Sequence, residues 1–226
     1  MIALHLSRSG SLVLGLLVLA TSASSHAGSV PPKTAPPYTG VYRVSMQSRE
    51  RAQDDWTYKT NDTVTIAVFG TKLARWDYRS DGHTILNDYV GRYSTTFGGS
   101  MPPGVARRAQ APTPPLAWEL GYAAVAAATE RDPEIVGKAT IAGRECTKLR
   151  YVSDQYGEPE FCVTDTGIVL RFANRSSTAE ATYEAESIDE KAPDQSRYAI
   201  PAGVTVEDPT PPKKALDLGL APPKAR

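Results

Sequence analysis

The scope for covalent and acid–base chemistry in this chain rests on few residues. Cys146 and Cys162 are its two cysteines, and His5, His26 and His83 its three histidines. A zinc site of the H-E-x-x-H kind needs two histidines one helical turn apart. With His5 and His26 in a cleavable leader (below), His83 alone remains, and that site is excluded. A Ser-His-Asp triad would have to use His83 as its base, and no G-x-S-x-G elbow presents a serine to it. His83 follows the Asp81-Gly82 turn and reads as an exposed residue at a strand start. Carboxylates are plentiful, but Asp54, Asp55, Asp77, Asp81, Asp88, Glu158 and Glu160 fall at turns or on polar strand faces, where solvation is their ordinary role. Composition alone leaves a glycosidase-like pair open. No G-x-G-x-x-G and no P-loop occurs. We expect no metal, no cofactor and no enzyme.

The cysteines are better read as structure. Each lies in an alternating, β-prone run, and between them stands Ser153-Asp154-Gln155-Tyr156-Gly157-Glu158-Pro159, a stretch of turn chemistry. Adjoining antiparallel strands bring such a pair within bridging reach. A free catalytic thiol would want a stronger basic setting than Arg144 and Lys148 give. Two cysteines in an exported chain are most simply one disulfide, closing a loop for about 3 kcal/mol.

Export is read from the N-terminus. Residues 1–27 carry a weakly basic start, an apolar run from Leu12 to Ala20 and the small residues Ser24-Ser25-His26-Ala27, the pattern of a signal peptide cut before Gly28. The apolar run is roughly half of the ~20 residues a spanning helix needs, so the mature chain has no transmembrane segment and the periplasm is the expected location. An uncleaved anchor is the alternative. Charge is balanced, with 25 basic and 25 acidic residues, which gives no footing for nucleic acid.

Residues 28–37 form a Pro-rich linker without core residues, and residues 207–226 a Pro-rich disordered tail; the domain is expected over 38–206. Strands are expected at Gly40 to Gln47 (Tyr42, Val44 and Met46 inward), Trp56 to Phe69, Thr71 to Arg79, His83 to Asn87 and Gly91 to Phe97. Gly98 to Pro115 breaks the pattern and reads as a long loop. A helix follows from Leu116 to Glu130, with Thr113 as cap and Pro114 in its first turn. It is apolar on nearly all sides, so something must cover it. Glu134 to Ala142, the two cysteine strands and Ile168 to Phe172 continue the sheet. In Ser177 to Ile188 the residues Ala179, Ala181, Tyr183 and Ala185 alternate with Thr178, Glu180, Thr182 and Glu184, one packed face against one solvated. The packed face is small, leaving room for the Trp118/Tyr122 helix or a ligand. Aromatic residues recur on the strands, as ordinary core or as the wall of an apolar cavity.

The layout resembles the periplasmic lipoprotein carriers of the LolA/LolB-like superfamily, nearest a DUF4412-like branch. The resemblance rests on Gly70 to Tyr78 with Ser80-Asp81-Gly82-His83-Thr84-Ile85, on Ile141 to Cys146 with Phe161 to Thr164 and Gly167-Ile168, and on Tyr198 to Gly203. It implies a mainly β (α+β) fold: a strongly curved antiparallel sheet, an unclosed β-barrel, with one or few helices in its concave face. One helix departs from the several that lid the true carriers, and Arg75 is the position nearest their lid-holding arginine. The implied function is non-enzymatic binding of a hydrophobic ligand, lipid or acyl chain, by a cell-envelope carrier or sensor. The expected ligand contacts are Trp76, Trp118, Tyr122 and Tyr183, with Arg75, and the loop from Gly98 to Pro115 would hinge the helix. The alternative is a structural or interaction module with a filled core, holding an envelope protein partner.

Overall fold

The structure, a computed structural model, describes residues 29–51, 53–110, 132–152 and 158–208. The expected signal peptide, the helix from Leu116 to Glu130 and most of the C-terminal tail lie outside the described residues.

Period-two alternation becomes strand wherever the sequence shows it. The strands are β1 (Tyr38–Ser48), β2 (Tyr58–Phe69), β3 (Leu73–Tyr78), β4 (His83–Asp88), β5 (Tyr93–Gly98), β6 (Val105–Gln110), β7 (Glu134–Ile141), β8 (Arg144–Arg150), β9 (Glu160–Val163), β10 (Val169–Arg175), β11 (Ala179–Asp189) and β12 (Thr205–Glu207). All lie in one sheet in the order β12-β6-β5-β4-β3-β2-β1-β11-β10-β9-β8-β7. It consists of two antiparallel meanders, β1 to β6 and β7 to β11, joined where β1 pairs with β11 (Tyr42 opposite Ala185, Val44 opposite Tyr183). β12 adds in parallel to β6. The sheet does not close, and its two end strands are β12 and β7.

The sheet is strongly curved. Trp76 on β3 and Tyr183 on β11 have β2 and β1 between them, which in a flat sheet would set them about 14 Å apart. Their ring centroids are 5.8 Å apart. At the other end β7 reaches back to β11 past three intervening strands. The main core fills the concave side, with Tyr42, Val44, Val64, Ile66, Trp76, Leu149 and Phe172 among its buried members. Within it the Tyr42 hydroxyl donates to the Val169 carbonyl at 2.8 Å and lies 3.3 Å from the Tyr38 hydroxyl. Burial pushes Tyr38 up to about 12, so the phenol there stays neutral.

A smaller cluster covers the convex face of β4 to β6. Leu86, Phe97 and Ala106 meet Ile200, Val204 and Val206 of the C-terminal strap. The strap opens with a short 3-10 turn, η1 (Gln195–Tyr198), whose cap Asp194 accepts from the Ser196 N–H at 2.8 Å.

Two expectations are corrected. The long loop from Gly98 to Pro115 is interrupted by β6: Gly98 and Gly99 adopt left-handed φ of 76° and 60° and start a tight reversal, after which Ala106 pairs with Phe97 of β5. Val-Ala-Arg-Arg-Ala-Gln has little β propensity of its own and is held as strand by its neighbours β5 and β12. The proline-rich arm, expected to lack core residues, contributes two. Pro31 is buried, and Ala35 packs on the main core.

The arm crosses the turn between β9 and β10. A Cβ on Gly167 (φ 88°) would stand 2.5 Å from the Thr34 carbonyl oxygen and 2.9 Å from that of Pro32. Gly167→Ala should therefore combine left-handed strain with a backbone clash, cost about 1–3 kcal/mol and release the arm. Trypsin cleavage after Lys33 checks this: faster cutting in the variant is expected, and an unchanged rate would show that the arm does not dock there.

Cys146 on β8 and Cys162 on β9 form the expected disulfide, with a Cα–Cα distance of 5.3 Å. The register sets Cys162 opposite Lys148, two residues along from Cys146.

Candidate functional site

The concave wall is built by register. Phe172 stands opposite Tyr183 across β10 and β11, Phe161 opposite Phe172 across β9 and β10, and Leu149 opposite Phe161 across β8 and β9. Residues directly opposite share a face. The rings therefore form a continuous run. Tyr78 stacks on Trp76 at 6.3 Å, Trp76 meets Tyr183 edge-on at 5.8 Å, and Tyr183 meets Phe172 at 6.2 Å. Phe172 meets Phe161 at 5.2 Å and Phe161 meets Tyr151 at 5.9 Å. These offset and edge-to-face contacts are the favoured aromatic geometries.

Of the expected ligand contacts, Trp76 and Tyr183 come together in this wall, with 2% and 1% exposure. The Trp76 indole N–H is buried and has no hydrogen-bond partner among the described residues, a state that costs free energy unless something accepts from it. Desolvation raises the Tyr183 phenol above its ordinary range. Ala181 and Ala185 face the same side, opposite Met46 and Tyr42, so the small-residue face of this strand is the inward one.

Arg75 does not join them. Neighbours on a strand point to opposite faces, so Arg75 stands on the convex side. Its Nε donates to both carboxylate oxygens of Asp77 at 2.8 and 2.9 Å, and its Nη1 to the Arg197 carbonyl at 2.8 Å. Thr84 donates to the same Asp77 at 2.8 Å. Arg75 thus pins the C-terminal strap. Trp118 and Tyr122 lie outside the described residues. The wall's other members, Tyr78, Tyr151, Phe161 and Phe172, were visible in the sequence as aromatics on alternating runs. What singles them out as one surface is the cross-strand register, which periodicity alone does not give.

His83 is the one histidine among the described residues. Its Nδ1 lies 2.5 Å from Asp81 Oδ1, and its ring stacks on Tyr78 at 4.1 Å. The hydrogen bond holds the Asp81 carboxyl below the usual range. The pair fastens the turn between β3 and β4. Among the described residues no cluster of three or more His, Cys, Asp or Glu could hold a metal, and no helix is long and apolar enough to cross a membrane.

The class defined by this geometry is an unclosed, curved antiparallel sheet with an aromatic concave wall. No protein-family model matches the chain, nor does any curated protein. Solved structures with a similar fold include an uncharacterised conserved protein from Thermus thermophilus, at 10% identity and a TM-score of 0.48 over 77% of this chain and 91% of that one. MucB is similar at 15% identity and a TM-score of 0.48, over 74% of this chain; the match spans 58% of the MucB chain. A LolA superfamily protein from Nitrosomonas europaea is similar at 8% identity and a TM-score of 0.38, over 74% of this chain and 91% of that one. At these scores the likeness describes the sheet in outline and bears no functional weight. The DUF4412-like branch is a resemblance of the sequence alone.

Proposed function

We propose that this is a binding protein of the cell envelope, not a catalyst, and that it takes a hydrophobic ligand, a lipid or acyl chain, against its concave wall. The observation that carries the reading is topological. The connection from β6 to β7 leads from the strand next to one edge of an unclosed sheet to the strand at the opposite edge, and its sequence, Leu116 to Glu130, is rich in apolar residues. An apolar segment tethered at both sides of an aromatic-lined open sheet supplies the apolar surface that a site for a hydrophobic guest requires. The expected contacts are Trp76 and Tyr183 of the wall, with Trp118 and Tyr122 of the connection. The export reading of residues 1–27 supports the envelope location.

A second reading has its own support. The wall's rings already pack on one another, and all but the half-buried Tyr78 are buried, which suits a filled core presenting its outer surfaces to a protein partner. One experiment separates the two. Titrate wild type and Trp118→Ala with the fluorescent fatty acid cis-parinaric acid, and follow thermal unfolding of both. For a ligand contact, wild type should bind, and the variant should bind about tenfold more weakly with little loss of stability. If wild type binds no probe and the variant loses the ~3–5 kcal/mol of a packed tryptophan, the carrier reading fails and the filled-core module stands.

A further inference from the structure

Two turns at one end of the first meander carry cations and an apolar tip into solvent. Gly70-Thr71-Lys72 joins β2 to β3, and Tyr89-Val90-Gly91-Arg92 joins β4 to β5. The turns lie side by side, since the Tyr89 N–H donates to the Lys72 carbonyl at 3.0 Å. We propose that together they form a docking tip for an anionic lipid surface.

Val90 is 75% exposed, more than any other large apolar side chain among the described residues, and Tyr93 just behind it is 42% exposed. A single exposed valine is ordinary, but its surroundings are not. Lys72 on the neighbouring turn and Arg92 two residues along are both exposed. Neither has an ion partner among the described residues. Arg92 closes its loop with a φ of 59°, a left-handed conformation that glycine or asparagine takes with less strain. An exposed arginine kept in a strained position argues for a use of its charge. The acid of this turn is drawn back: Asp88 Oδ1 accepts from the Val90 and Gly91 N–H groups at 3.0 and 2.7 Å. That also fixes the shape of the tip before any partner arrives. Arg108 and Asp208 lie 3.8 Å apart and offset each other. The groups thus follow the order of a bilayer interface, with an aliphatic tip, an aromatic ring behind it and cations to meet lipid phosphates. A specific protein interface would need a larger apolar centre of matched shape, whereas a fluid headgroup layer needs no matching shape. The tip is separate from the concave wall, and the proposal does not depend on what that wall holds.

The test is co-sedimentation of the protein at low salt with vesicles of phosphatidylcholine and phosphatidylglycerol in equal parts, and with vesicles of phosphatidylcholine alone. The mixed vesicles should bind it, the neutral ones far less, and added salt should release it. Arg92→Gly and Lys72→Gln should each weaken binding about fivefold, and together about 25-fold. Arg92→Gly should leave the Tm unchanged or raise it, because glycine accepts the same φ. Val90→Trp should tighten binding, since tryptophan favours the headgroup layer. Arg79→Gln is the control: it removes an exposed cation from the turn at the opposite end of β3 and should change nothing. Absence of binding to the mixed vesicles, equal binding to both compositions, or indifference to Arg92→Gly and Lys72→Gln would each overturn the proposal. So would an Arg79→Gln effect as large as that of Arg92→Gly, or a Val90→Trp variant that binds no more tightly than wild type.

Discussion

Phe172→Ala is expected to cost about 3–5 kcal/mol, a large share of the ~5–15 kcal/mol that holds a domain together. Phe172 is 2% exposed and sits in the middle of the concave wall, with ring neighbours at 5.2 Å on one side and 6.2 Å on the other. Deleting it removes the transfer free energy of a buried ring and leaves a cavity that two strands cannot collapse without breaking register. Urea unfolding checks this by a lower midpoint at unchanged slope. Arg43→Ala is the control: its ion pair with Glu186 spans 2.9 Å, but the arginine side chain is 67% exposed, and such pairs contribute about 0–1 kcal/mol. A loss from Phe172→Ala no larger than the control's would mean that the wall is not packed in solution.

Removing the disulfide with the pair Cys146→Ala and Cys162→Ala should cost about 3 kcal/mol, from the loop-closure entropy restored to the unfolded chain. The bridge spans a sequence separation of 16. For a domain of this size the Tm should fall by roughly 6–12 °C. Alanine suits the site better than serine, because both cysteines are buried and an unpaired hydroxyl there would add a penalty of its own. Wild type unfolded in a strong reductant should match the double variant in oxidising buffer. A wild-type Tm indifferent to reductant would show that the bridge contributes nothing.

β3 serves both faces of the sheet. Ala74 and Trp76 belong to the concave core, while Arg75 and Asp77 fasten the strap on the convex side.

Local pattern was enough for part of this architecture. Alternation set the inward residues of β1 and β11, the Ser80-Asp81-Gly82 turn set the hairpin between β3 and β4, and two cysteines flanking a turn set the bridge. These follow from a period of two and from turn chemistry, which act over a few residues. Everything that depends on strands far apart in the chain was left to the folded molecule. The pairing of β1 with β11 brings together residues more than a hundred positions apart, and the curvature that puts Trp76 against Tyr183 follows from the combined side-chain volumes of both meanders. β6 is a strand because β5 and β12 flank it, against the weak propensity of its own residues. Pro31 and Ala35 pack because the arm happens to cross the Gly167 turn. Arg75 holds the strap because a carbonyl 122 residues later comes to lie beside it. None of these has a local signature, since each is fixed by which distant backbone arrives at the same place.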